Sequence, residues 1–245
     1  MKTLAFASRN TKEILRDPLN LAFGLGFPLV LLFLLSAIQA NIPIDMFQME
    51  KLSPGIAVFG LSFISLFSGM LIAKDRSTSF LMRLFASPLT PGDFITGYTL
   101  PLLPMAIAQC LICFATALLL GLTLNINLLW ALITLIPTAI LFIGIGLLAG
   151  SIFTDKQVGA VCGALLTNLS AWFSGTWFDL NLVGGGFKAI ADVLPFVHAV
   201  DAARAAISGE YASILPHLMW VTLYAALVFG LAIWVFHSKM KNNVS

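Results

Sequence analysis

The chain has 245 residues, 59% of them hydrophobic and 10% charged, too little charge to solvate a globular surface, where about 25% is usual. Its net charge of +2 is too small, and its basic residues too dispersed, for a nucleic-acid-binding protein. Between Asp93 and Asp155 lie 61 consecutive residues without Asp, Glu, Lys or Arg, well beyond the ~20 apolar residues of one bilayer crossing. The chain therefore reads as an all-α integral membrane protein, a single transmembrane domain over 1–245 with no room for a separate soluble domain.

At the N-terminus the apolar stretch Leu4–Ala7 is too short for the core of a signal peptide, and charges follow it at once. Arg9, Lys12, Glu13 and Arg16 fall at i, i+3, i+4 and i+7, on one helical face, with Leu4, Ala7, Thr11, Ile14 and Leu15 on the other. Pro18 ends the pattern. This predicts an interface helix over 1–17, its basic face turned to water and lipid phosphates. Six spans are expected after it, near 19–40, 52–73, 94–120, 128–153, 157–178 and 213–236. The long uncharged run divides at Gly121–Asn127, its one polar turn, and Pro101 and Pro104 interrupt the third span.

Ten of the 13 Lys and Arg residues then lie on the face that holds both termini and three on the other, so both termini are expected in the cytoplasm. Trp130, Trp172, Trp177 and Trp220 fall toward the outer ends of spans and Trp234 toward an inner end, as an aromatic belt requires. Cys110 and Cys113 have redox or zinc spacing but no second Cys or His pair. With Cys162 they read as small buried apolar side chains, and no metal or catalytic residue is expected.

Two segments exceed what a bilayer demands. In the loop 74–93, Phe80, Leu81, Leu84 and Phe85 form one stripe of a short helix, Arg76 and Arg83 share its other face, and Pro88 and Pro91 stop it. Such an amphipathic helix suits a docking surface for a cytoplasmic partner. In the outer segment 179–212, Leu194–Ser208 reads as a short helix stopped by Gly209, with an Asp201–Arg204 pair and a hydrogen-bonded structural His198.

On these residues the chain resembles the type-2 permeases of ATP-binding-cassette exporters. The likeness covers nearly the whole length. It rests on the basic N-terminal helix ending at Asp17-Pro18, the order of spans, Asp75-Arg76 through Leu84 and Ser87-Pro88 as a coupling region, and Pro195…Arg204…Gly209 as outer re-entrant helices before the last span. Asp75 stands where Glu is commoner in the family, and Leu194 precedes Pro195 where Asn is usual.

The resemblance implies a permease in the cell membrane that moves an apolar or amphipathic drug, lipid or glycan outward. It implies no cofactor of its own. Mg-ATP would be bound by a separate ATP-binding cassette subunit, docked on Arg76, Phe80, Leu81, Arg83, Leu84 and Phe85. It also implies a second permease copy, in a homodimer or heterodimer, with the substrate route along the first, second and fifth spans. The sequence agrees in carrying no G-x-x-x-x-G-K-[ST] phosphate loop.

Gln109, Asn168 and Ser174 are candidate polar groups on the route, with helix bridging as their other role. An ion channel or ion-coupled carrier is the alternative, opposed by spans that hold no acid or base for an ion relay. An intramembrane hydrolase is opposed by Trp172-Phe173-Ser174-Gly175, which lacks the first glycine of Gly-x-Ser-Gly, and by His198 lying outside the spans.

Overall fold

A computed structural model describes residues 2–42, 44–78 and 90–244. The fold is all-α. Helix α1 (Lys2–Leu15) precedes a turn at Pro18–Leu21, a π-helical stretch at Ala22–Gly26 and α2 (Phe27–Asn41). Then come α3 (Met49–Ser77), α4 (Pro91–Leu119) and α5 (Asn127–Ile152). A helical segment follows that changes from α at Asp155–Val158 to π at Gly159–Leu166 and back to α in α6 (Thr167–Phe173). The shorter helices α7 (Gly185–Val193) and α8 (Pro195–Ser208) lead into the long α9 (Tyr211–Val244).

Five helices among the described residues are long and apolar enough to cross a membrane: Ala22–Asn41, Met49–Ser77, Gly92–Leu119, Asn127–Ile152 and Tyr211–Ser238. The predicted span at 157–178 is helical from Asp155 to Phe173, but no one regular helix fills it, because its ladder widens to π geometry over Gly159–Leu166. The π stretch at Ala22–Gly26 has a visible cause. Pro28 cannot donate to a carbonyl one turn back, so the ladder must adjust there.

Burial divides the spans into core and periphery. Helix α3 is enclosed on nearly all sides, whereas the apolar windows of α2 and α9 are mostly exposed and suit lipid or another protein. Helices α3 and α5 meet along a seam of small residues, Ser65, Ser68 and Gly69 against Gly146 and Gly150. Ser68 Oγ donates to the Ile143 carbonyl at 3.1 Å across this seam. A methyl group at Gly146 would collide with the Ser65 carbonyl and the Ser68 hydroxyl, and one at Gly150 with the Gly69 carbonyl.

Helix α8 is not surface decoration. Helix α8 is a wedge of small residues, with Ala199, Ala202, Ala203 and Ala206 almost fully buried, and Phe196 stacks on Phe142 of α5 at 5.9 Å. Pro195 opens it and Gly209, at φ 80°, closes it with a left-handed residue.

Candidate functional site

A buried polar cluster ties α1 to the end of α3 and the start of α4. It is assembled around a proline. Pro101 lacks an N–H, so the Gly97 carbonyl one turn earlier in α4 loses its usual donor four residues on. Asn10, fully buried, supplies one: its Nδ2 donates to the Gly97 carbonyl at 3.0 Å. Gly97 also leaves the space that Phe6 fills, since a Cβ there would strike the Phe6 ring. Phe6 packs edge-on against Phe94 at 5.9 Å and Tyr98 at 4.9 Å.

This docking sets which side of α1 faces inward. The buried side is Phe6, Ala7 and Asn10, while Leu4 and Leu15, expected on the apolar side, are exposed. The expected water-facing side is also partly committed to the protein. Arg9 donates from Nη1 to Asp75 Oδ2 at 2.6 Å and from Nη2 to Asp75 Oδ1 at 2.8 Å, a two-pronged contact. Tyr98 donates its hydroxyl to Asp75 Oδ2 at 2.8 Å. Glu13 completes the network, 2.6 Å from Arg9 and 3.2 Å from Lys74. Partial burial lowers the Arg9 pKa, but the Asp75 hydrogen bond and the charges of Asp75 and Glu13 outweigh it and raise the net value.

Asp75 is almost fully buried, three residues from the end of the described part of α3 and its following turn. Three elements therefore converge on one carboxylate: α1 through Arg9, α4 through Tyr98, and α3 itself. The next residue, Arg76, reaches in another direction. Its Nη1 donates to the Gly150 carbonyl at 2.7 Å and the Phe153 carbonyl at 3.2 Å, covering carbonyls that the end of α5 leaves open. Among the expected docking residues Arg76 thus binds within the chain. Phe80, Leu81, Arg83, Leu84 and Phe85 lie outside the described residues.

The three candidate route residues separate. Gln109 is buried, with Nε2 3.3 Å from Cys113 Sγ and its amide against Gly60, so it bridges α4 to α3. Ser174 is buried at 2.7 Å from the Thr176 hydroxyl. Asn168 is exposed and donates to the Ala164 carbonyl at 2.8 Å. It opens on a groove of about 590 Å³ between α2, α3 and α6, walled by Phe27, Phe59, Phe63, Trp172 and Trp177. Phe59 and Phe63 stand 5.7 Å apart, each within aromatic contact of Phe27. The thiols of Cys110, Cys113 and Cys162 are buried and free.

At the opposite end of the helices, a cleft of about 750 Å³ is lined by residues of the α2–α3 connection, the 121–127 turn and the 179–212 segment. Arg204 organises it, donating from Nε to the Lys51 carbonyl at 3.0 Å and from Nη2 to the Gly175 carbonyl at 2.9 Å. The expected partner Asp201 is farther, at 3.7 Å. Burial lowers the Arg204 pKa and raises that of Asp201, each opposed by the other's charge. His198 is held by two bonds, Nε2 to the Asp192 carbonyl at 2.9 Å and Nδ1 to His217 Nδ1 at 2.8 Å.

Sequence reasoning missed Asn10, Gly97 and Tyr98. The available signal was Pro101, whose missing N–H predicts an orphan carbonyl at position 97 and hence a donor from elsewhere.

Comparison with known proteins agrees with this architecture. Residues 1–208 match the family described as ABC-2 type transporter. The chain is also 27% identical over 212 residues to a protein of Porphyra purpurea named putative transport permease ycf38, across 82% of this chain and 72% of that one.

Proposed function

We propose a function from one premise: the chain belongs to the ABC-2 type transporter family. It is the transmembrane permease subunit of a transporter, a multi-pass membrane protein. The proposed activity is export of an apolar or amphipathic substrate, driven by Mg-ATP hydrolysed in a separate ATP-binding cassette subunit. The observation that carries it is the convergence of α1, α3 and α4 on Asp75, at the entrance to the 79–89 segment. A push delivered there by a partner would reach three helices at once, and through Arg76 it would reach the end of α5 as well.

The partner would seat the Phe80, Leu81, Leu84 and Phe85 stripe, with Arg83 at the rim. Two permease copies would face one another across α2, α3 and the 155–173 segment, where the aromatic groove lies open. The basic bias supports termini in the cytoplasm of a cell membrane, with the Arg204 cleft outside. A reporter fused after Lys241 should then read cytoplasm and one at Gly185 should read the exterior. A cytoplasmic signal at Gly185 would end this topology.

The direct test is biochemical. The purified chain should hydrolyse no ATP, and it should co-purify with its co-expressed ATP-binding cassette subunit and couple that subunit's hydrolysis to transport. Phe85→Ala should weaken this association by about 2 kcal/mol or more, as removal of a buried aromatic anchor does. Hydrolysis by the chain alone would overturn the reading, as would full coupling by the Phe85 variant.

A further inference from the structure

The elbow between α7 and α8, residues 192–198, is clipped to one stripe of α9. His217, Trp220 and Tyr224 recur at i, i+3 and i+7 along that helix. Trp220 Nε1 and the Tyr224 hydroxyl both donate to the Val193 carbonyl, at 3.0 Å and 2.9 Å. His217 makes the third contact, from Nδ1 to His198 Nδ1 at 2.8 Å, with the ring centres 5.1 Å apart. Of these three residues only His217 is of a type that changes charge near neutrality.

The contact between the two imidazoles depends on how many protons they hold. His198 Nε2 lies 2.9 Å from the Asp192 carbonyl, which can only accept, so Nε2 carries a proton. In the neutral ring Nδ1 is then a bare acceptor, and His217 Nδ1 donates to it. One added proton, on either ring, still leaves one N–H facing one lone pair. Two added protons set N–H against N–H and cation against cation at 2.8 Å, and the contact cannot survive.

The surroundings do not remove this limit. Asp201, one turn along α8, is a carboxylate whose charge reaches both rings, and Arg204, 3.7 Å from it, draws on the same charge. From α7 comes Asp192, paired with Lys188 at 2.8 Å. Glu50 and Lys51 at the start of α3, with Asp179 and Glu210 on connecting segments, line the cleft that His217 borders. Helices α5 and α6 bring no charged side chain, and α4 brings Asp93 at its far end.

We infer that the His198–His217 pair is an acid-released latch that holds the α7–α8 elbow against α9. It stays closed with one proton between the rings or with one more, and it opens when both rings are charged. The second charge enters the pair below the ordinary imidazole range near pH ~6.5. The latch is therefore engaged above that range and lost as the pH falls. It needs neither an ATPase subunit nor a second copy, so it stands apart from the transport reading.

Hydrogen exchange of the full-length chain in nanodiscs reads the elbow, once rates are corrected for the intrinsic pH dependence of exchange. Protection of amides 190–200 is expected to fall about fivefold between about pH 7.5 and about pH 4.5, the size of one lost hydrogen bond. Acid also protonates carboxylates, so the variants decide. His217→Leu should show the acid-level protection already at neutral pH, with no further acid response. His217→Asn keeps an amide that can donate to a bare Nδ1 or accept from a charged ring, so its protection should hold across the range. His237→Gln, which changes the one other histidine of the chain, should behave as the native protein. The latch would be overturned by a native-sized acid response in His217→Leu, by full protection of that variant at neutral pH, or by a native chain that does not respond to acid. Opening of His217→Asn in acid, to the native extent, would overturn it as well.

Discussion

Gly146→Ala should leave little folded protein. A single methyl there meets the backbone carbonyl of Ser65 as well as the Ser68 hydroxyl, and backbone in the middle of a helix cannot step aside as a side-chain tip can. Helices α3 and α5 would have to separate, breaking the Ser68–Ile143 hydrogen bond and exposing α3, the most buried of the five long apolar helices among the described residues. Overpacking a well-filled core costs about 1–3 kcal/mol, and more where backbone is displaced. A loss of at least ~3 kcal/mol is expected, read as a collapsed thermal midpoint and aggregated elution in detergent. Gly230→Ala makes the control: it too lies in a long helix, but nothing stands within 4 Å of the added methyl. That variant should match or slightly exceed the native midpoint, since Ala favours a helix over Gly. Wild-type behaviour of Gly146→Ala would mean that α3 and α5 do not pack at this register.

The membrane architecture was legible because the bilayer imposes its rule on composition alone. Stretches such as 128–153 carry no charge over the length of a crossing, and the helix Asn127–Ile152 follows from that. Gly209 and Pro195 gave the ends of α8 for similarly local reasons. What was not legible depends on a second helix. Leu4 and Leu15 satisfy the periodicity of α1 but stay exposed, because the docking groove on α4 is shaped by Gly97 and filled by Phe6.

Charge pattern misleads in the same way. Arg9 sits on the polar side of a helical wheel, yet a buried Asp75 from 66 positions away claims it. Arg76 reads with Arg83 as the polar face of a docking helix, yet its reach to the end of α5 requires knowing that α3 and α5 run side by side. The widening of the 159–166 turns to π geometry has no proline or charge to announce it in the sequence.

The network around Asp75 makes an asymmetric prediction about coupling. Arg9→Ala removes the more exposed member of the pair, at 36% side-chain exposure, and leaves Asp75, at 3%, with its charge buried beside Tyr98. Breaking a fully buried pair costs about 3–5 kcal/mol, and exposed pairs are worth under ~1 kcal/mol, so an intermediate loss of about 2 kcal/mol is expected for this partly solvated one. Asp75→Asn should be milder. Its amide oxygen still accepts from Tyr98, no charge is left buried, and the freed guanidinium can turn toward Glu13 and water. Stability alone would thus rank Arg9→Ala below Asp75→Asn.

Transport coupling should show the same order, because the two-pronged Arg9–Asp75 contact is the shortest side-chain link from α1 to the buried end of α3, with Glu13–Lys74 as a weaker, more exposed second one. ATP hydrolysis by the partner would continue while transport falls, most in the Arg9 variant. The double variant supplies the decisive comparison. With the buried charge gone, Arg9→Ala in the Asp75→Asn background should cost little more than Asp75→Asn alone, so the two effects should be strongly non-additive. Additive effects of equal size, with coupling intact in each single variant, would reduce the Arg9–Asp75 contact to a surface ion pair and remove α1 from the path by which a partner's closure reaches the spans.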